Sequence, residues 1–167
     1  DFAQFMYDKL FNVIPKAQST PVVSAIPREN VVMLDFGSDL EAVKETEENS
    51  NPEGYFFEGY NIYQLPNANA TLEQATKVAT IDKNNAISRI RAPRYIPQLG
   101  EIVDVTIQSG ANTGIKRFFI ADKDYINDTP LYAGLEYYFA VTAYNAKDTN
   151  RDGVVDKDMP DPALDSA

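Results

Sequence analysis

The chain has 167 residues, 44% of them apolar, with 15 basic and 25 acidic side chains, a formal net charge of −10, and no His, Cys or Trp. That is enough apolar material for one domain with a proper core, and the charge repels both a phosphate backbone and anionic lipid. The chain therefore lacks the side chain that titrates nearest neutrality and the best thiol nucleophile, which lowers the prior for catalysis, and it has no disulfide scaffold.

No apolar run approaches the roughly 20 residues needed to span a bilayer. The sequence starts at Asp1 without a signal peptide and reads as a processed product or a segment of a longer polypeptide. Asp1 to Ile14 sets Phe2, Phe5, Met6, Leu10, Val13 and Ile14 at roughly helical spacing, and Pro15 ends the pattern. We read 1–20 as a short helical arm with its linker and 21–167 as the domain. So short a helix is marginal unless its apolar face is covered, by its own domain or by a docked neighbour.

Val22 to Pro27 and Val31 to Phe36 read as the first two strands around an Arg28-Glu29-Asn30 turn, with Val32, Leu34 and Phe36 on one face. Gly37 to Gly54 is acidic and free of aromatics, a solvated insertion with a helical turn at Asp39 to Lys44. Tyr55 to Leu65 is the third strand, Tyr60 and Ile62 inward, Asn61 and Tyr63 outward; Leu72 to Asp82 is the fourth. A second insertion, Ala86 to Gly114, holds a strand at Glu101 to Gln108. Its segment Ile90 to Gly100 carries two prolines, which argue for an extended, irregular edge. Arg89, Arg91 and Arg94 form the one basic cluster, expected to pair with acidic surface rather than bind a ligand. Ile115 to Ala121 is a further strand; either Phe118 and Ile120 or Phe119 faces in.

From Tyr137 the chain alternates strictly: Tyr137, Phe139, Val141 and Ala143 on one face, Tyr138, Ala140, Thr142 and Tyr144 on the other. A turn at Leu131-Tyr132-Ala133-Gly134 precedes it. This stretch to Asn145, the Val32 to Phe36 strand and the Phe57 to Tyr63 segment FEGYNIY together resemble a fibronectin type III-like domain of large secreted or cell-surface bacterial proteins, of Bacteroidetes-type and related environmental bacteria. Phe36 stands where tryptophan is usual and Ala133 where proline is usual. The resemblance implies an all-β, immunoglobulin-like sandwich with two insertions, and makes Tyr137 a structural tyrosine corner whose hydroxyl turns back onto upstream backbone.

After Asn145, the residues Asp148, Asn150, Asp152, Gly153, Val154 and Asp156 follow the first nine positions of an EF-hand-type calcium loop. Position twelve is Met159, so Asp158 or Asp161 has to complete the oxygen set, and no helix-forming sequence follows. A convincing final strand never arrives. Truncation, closure by another part of the chain, or a strand from another subunit would each account for that.

The resemblance implies a non-catalytic, extracellular structural or adhesion module whose partners are neighbouring domains or identical subunits, not nucleic acid or the membrane interior. One alternative is a self-assembling filament subunit using strand or arm exchange. Another is a glycan-binding accessory module of a secreted enzyme, using Tyr63 or Tyr138 as a stacking ring. Acidic pairs such as Asp122 and Asp124 do not by themselves suggest catalysis. A calcium site at Asp148 to Asp158 predicts a higher melting temperature in millimolar Ca²⁺ than in chelator, the stabilisation being about 2.7 kcal/mol when the ion stands about 100-fold above its dissociation constant. Identical melting curves would remove the metal.

Overall fold

The computed structural model describes residues 19–48 and 54–147. Within them the chain is predominantly β, in three antiparallel groups. The first sheet has the order β1 (Ser24–Pro27), β2 (Val32–Asp35), β7 (Phe118–Ala121). The second has the order β4 (Thr76–Asp82), β3 (Tyr55–Leu65), β8 (Tyr138–Lys147). β5 (Arg89–Ile96) and β6 (Glu101–Ser109) form a hairpin of their own. Among the described residues β8 has β3 as its only strand neighbour.

The two three-stranded sheets share one core. Leu34 and Phe36 meet Phe57, Tyr60, Ile62, Ile81, Val141 and Ala143, with Phe119 and Phe139 packed against them. Phe57 and Tyr60 are three residues apart, an odd offset that ordinary pleating would send to opposite faces. An irregularity in the β3–β8 register between Phe57 and Gly59 restores the phase. The two rings then sit 4.9 Å apart, and Phe36 lies 4.9 Å from Tyr60 on the other side. Gly59 is needed at that irregularity: a Cβ there would lie 2.5 Å from the Ile81 carbonyl oxygen and 2.9 Å from the Tyr144 ring. On β7 it is Phe119 that packs inward, leaving Phe118 and Ile120 exposed.

Asn61 and Tyr63 do lie off the core face, but they do not reach solvent. Asn61 is fully buried and Tyr63 is 7% exposed. The base of the β5–β6 hairpin lies over this second face. Ile87 and Ile90, with Ile107 beside them, pack on Tyr144 and Ala146. Asn61 and Gln108 exchange amide hydrogen bonds of 3.2 and 3.1 Å, and the pair is completed by Thr80 Oγ1 and Lys77 Nζ. β3 is thus buried on both sides, which accounts for its near-continuous run of aromatic and aliphatic residues.

Two local structures differ from the sequence reading, and a third agrees with it. The acidic insertion carries a two-turn helix, α1 (Leu40–Glu47), rather than one turn. Asp39 caps it by accepting the Ala42 N–H at 3.0 Å. Leu72–Gln74 is a 3-10 turn, with the strand starting only at Thr76. The proline-bearing segment is the extended edge strand expected, with Pro93 paired opposite Asp104 and the register broken between Ile90 and Arg91. A two-stranded ribbon gives proline an outer edge where no N–H is required.

The hairpin's return path is held by a buried carboxylate. Asp82, fully buried at the end of β4, accepts the backbone N–H groups of Ala111, Asn112 and Thr113 at 3.1–3.2 Å. Gly110 lets it approach so closely that a Cβ there would sit 1.9 Å from Asp82 Oδ2. Replacing Asp82 by Ala takes the acceptor from three backbone N–H groups, and Gly110→Ala pushes the carboxylate out of its seat. Each should cost about 3 kcal/mol in urea unfolding; an unchanged midpoint for both would show that this anchor is dispensable.

Candidate functional site

The acidic side chains inside the protein are engaged in holding loops. Asp124 is 7% exposed and accepts Gln64 Nε2 at 2.8 Å, the Ile126 and Asn127 N–H groups at 3.0 and 3.2 Å, and Asn127 Nδ2 at 2.8 Å. Gln64 Oε1 in return accepts the Tyr125 N–H, so the loop after β7 is tied to β3. The Asn127 and backbone donors keep the Asp124 carboxyl below the usual carboxylate range. Asp122 faces elsewhere, accepting the Tyr125 hydroxyl at 2.8 Å. Burial, helped by that bond, pushes the Tyr125 hydroxyl up to about 12. Asp122 and Asp124 are therefore not brought together as an acid–base pair.

Glu47, the last residue of α1, makes the third such tie. Its carboxylate takes both guanidinium nitrogens of Arg117 at 2.8 Å and the Tyr60 hydroxyl at 2.7 Å. One side chain so joins the helix, the approach to β7 and the inter-sheet core. Burial by itself would raise the Glu47 carboxyl, but the Arg117 and Tyr60 donors outweigh it and hold it low. Burial and the adjacent carboxylate raise the Tyr60 hydroxyl beyond any physiological titration. Thr46 secures the same helix end, donating to the Ser19 carbonyl at 3.2 Å.

Chemistry available to a partner lies on the outside. On the outer face of the first sheet, half-buried Ile26 and Met33 run into Ile120 (49% exposed) and Phe118 (44%). The far half of the β5–β6 hairpin carries Tyr95 (62%), Leu99 (64%) and Ile102 (71%), with Tyr95 directly opposite Ile102. Arg89, Arg91 and Arg94 are exposed along β5. A hollow of ≈ 620 Å³ lies beside β1, between Val22 and the start of α1, with Asp35, Asp39 and Leu40 on its wall. A slot of ≈ 430 Å³ opens between the sheets at Val23, Leu65 and the Tyr137–Ala140 stretch.

Tyr137 is half-buried at the foot of β8, and its hydroxyl accepts the N–H of Tyr132, five residues upstream, at 2.9 Å. Tyr55, Tyr60 and Tyr63 are buried, so those rings offer no face for stacking. Tyr138 is half-buried and donates to Glu136 at 2.5 Å. The expected calcium ligands Asp148, Asn150, Asp152, Val154, Asp156 and Asp158, and the arm residues Phe2, Phe5, Met6, Leu10 and Val13, lie outside the described residues. Among the described residues no three acidic side chains gather as a metal site, and no helix is long and apolar enough to cross a membrane. The sequence reading did not single out Tyr95, Leu99 and Ile102. The signal for Ile102 was an apolar residue in the otherwise polar phase of the Glu101 to Gln108 alternation, which a ribbon with one covered face does not need.

No family model, no curated protein and no solved structure matches this chain.

The Glu47 tie has a defined pH dependence. Its carboxyl is depressed in the folded state, so its contribution is complete above the ordinary value of 4.5 and is lost as pH falls through the lower folded value. Glu47→Gln should lower stability by about 1–3 kcal/mol at pH 7, with the gap to wild type closing below about pH 4. A gap that stays constant from pH 7 to pH 3 in thermal melts would mean the charge is irrelevant there.

Proposed function

We propose that this chain is a non-catalytic, extracellular structural and adhesion module, built as a fibronectin type III-like sandwich and working through protein–protein contact. The single observation that carries the reading is the division of labour between inside and outside. Carboxylates are committed to anchoring at buried Asp82 and Asp124 and at half-buried Glu47. Large apolar side chains stand exposed in groups, Phe118 with Ile120 and Tyr95 with Leu99 and Ile102. Grouped apolar exposure of this kind marks contact surfaces on soluble proteins.

The sandwich assignment draws support from the strand order in the two sheets, from the core they share, and from the Tyr137 hydroxyl reaching back to the Tyr132 N–H. The β5–β6 hairpin and the α1 segment then occupy the two insertions. The calcium loop at Asp148 to Asp158 belongs to the same proposal and rests on its ligand spacing. A glycan-binding role draws less support, since of the two stacking rings expected for it Tyr63 is buried and Tyr138 is half-buried.

Beads coated with the protein should adhere to the surface or secreted matrix of the producing cells. Phe118→Ser/Ile120→Ser should reduce that adhesion several-fold while the melting temperature is kept. Turnover of glycosidic, ester or peptide substrates above background, or no adhesion by wild-type protein, would overturn the reading.

A further inference from the structure

β8 is an edge strand whose edge is not open. Its one strand neighbour among the described residues is β3, so its other side carries a row of outward N–H and C=O groups. On a bare edge that row meets water, whatever the two faces of the sheet do. Yet all seven residues 141–147 are buried. Ala143 is 0% and Ala146 1% exposed, and alanine has no side chain long enough to screen its own backbone. Tyr138, Phe139 and Ala140, beside the slot between the sheets, are only half-buried. The described apolar packing on 141–147 comes from the two faces, with the inter-sheet core on one and the hairpin base on the other. A further segment therefore lies along the outer side of β8 from Val141 onward.

Three stretches of chain lie outside the described residues: 1–18, 49–53 and 148–167. The second is short and polar, and the third is acidic and carries two prolines. The first sets Phe2, Phe5, Met6, Leu10, Val13 and Ile14 at roughly helical spacing, with Gln4, Asp8 and Asn12 in a row at steps of four beside them. An edge shut off from water needs both kinds of residue, apolar area to exclude water and polar groups to meet the outward backbone. The lengths agree, since a helix over 1–14 spans about 21 Å and seven residues of strand about 23 Å. So does the point of attachment. The Ser19 carbonyl accepts the Thr46 hydroxyl at 3.2 Å, and the next residue, Glu47, accepts the hydroxyl of Tyr60, which is paired with Ala143 of β8. Val23 and Ala25 then line the slot together with 137–140, so the chain enters the domain on the β8 side.

We propose that the N-terminal arm, residues 1–14, docks along the outer edge of β8 at 141–147 in its own chain, its apolar face against the strand and Gln4, Asp8 and Asn12 toward the outward backbone groups. The arm then stands where a further strand would, and it withholds the edge from pairing with another chain.

Amide hydrogen exchange, read residue by residue on the whole chain, tests this. Wild-type protein should protect the outward amides of 141–147 as well as those paired with β3. Phe5→Asp/Leu10→Asp should speed exchange of the outward set by about tenfold or more, while the inward set and the amides of β5 and β6 keep their rates. A benzophenone amino acid in place of Phe5 reads the contact without disturbing the fold. Illumination should join it to 141–147 within one molecule, as a monomer on a denaturing gel. Outward amides that exchange freely in wild type, or that stay protected in the arm variant, would overturn the docking. Crosslinks that map elsewhere would do the same. Crosslinks found only between molecules would assign the edge to the arm of a second copy and overturn the intramolecular cover.

Discussion

The structure depends on the burial of β3 on both faces. Toward the first sheet it presents Phe57, Tyr60 and Ile62, and toward the hairpin it presents Asn61. A strand in this position needs an apolar core on one side and complete hydrogen bonding for any amide on the other. The register irregularity beside Phe57 and the close approach at Gly59 follow from that demand. So does the reciprocal Asn61–Gln108 pair. A buried amide left with one partner would cost more than the pair contributes, so the hairpin base is held in one register.

Around that strand, charge is used for position. Glu47, Asp82 and Asp124 each gather donors from segments far apart in sequence, and each closes a loop onto the sheets. A carboxylate with two or three backbone or guanidinium donors is a directional fastener, whereas apolar packing is indifferent to small slides. The loops that follow β6 and β7 and the end of α1 are therefore fixed in place despite carrying little apolar surface. A protein with a large excess of acidic residues can use some of them this way inside and keep the rest for solubility.

The same arrangement explains why the exposed apolar groups lie where they do. The hairpin is seated on the second sheet at its base, and farther out Tyr95 and Ile102 stand opposite each other and largely exposed. On β7, the choice of Phe119 for the core turns Phe118 and Ile120 outward. Neither exposure is needed for the core, and both give the protein surfaces that water does not favour.

Much of the framework is a local property of the sequence. The aromatic-rich run at Tyr55 to Leu65 and the period-two run after Tyr137 mark β3 and β8, because residue type and side-chain alternation on a strand are local properties. Asp39 and the acidic first turn likewise announce the helix at Leu40. What only the tertiary structure decided is which second faces are covered and by what. Asn61 reads as a surface amide until Gln108, forty-seven residues away, is laid over it. Asp82 reads as a turn residue until three N–H groups from 111–113 close around it. Phe118 and Phe119 are equivalent as letters, and only the pairing of β7 with β2 sends one inward. Period and propensity are written in neighbouring residues, whereas burial is a relation between distant ones.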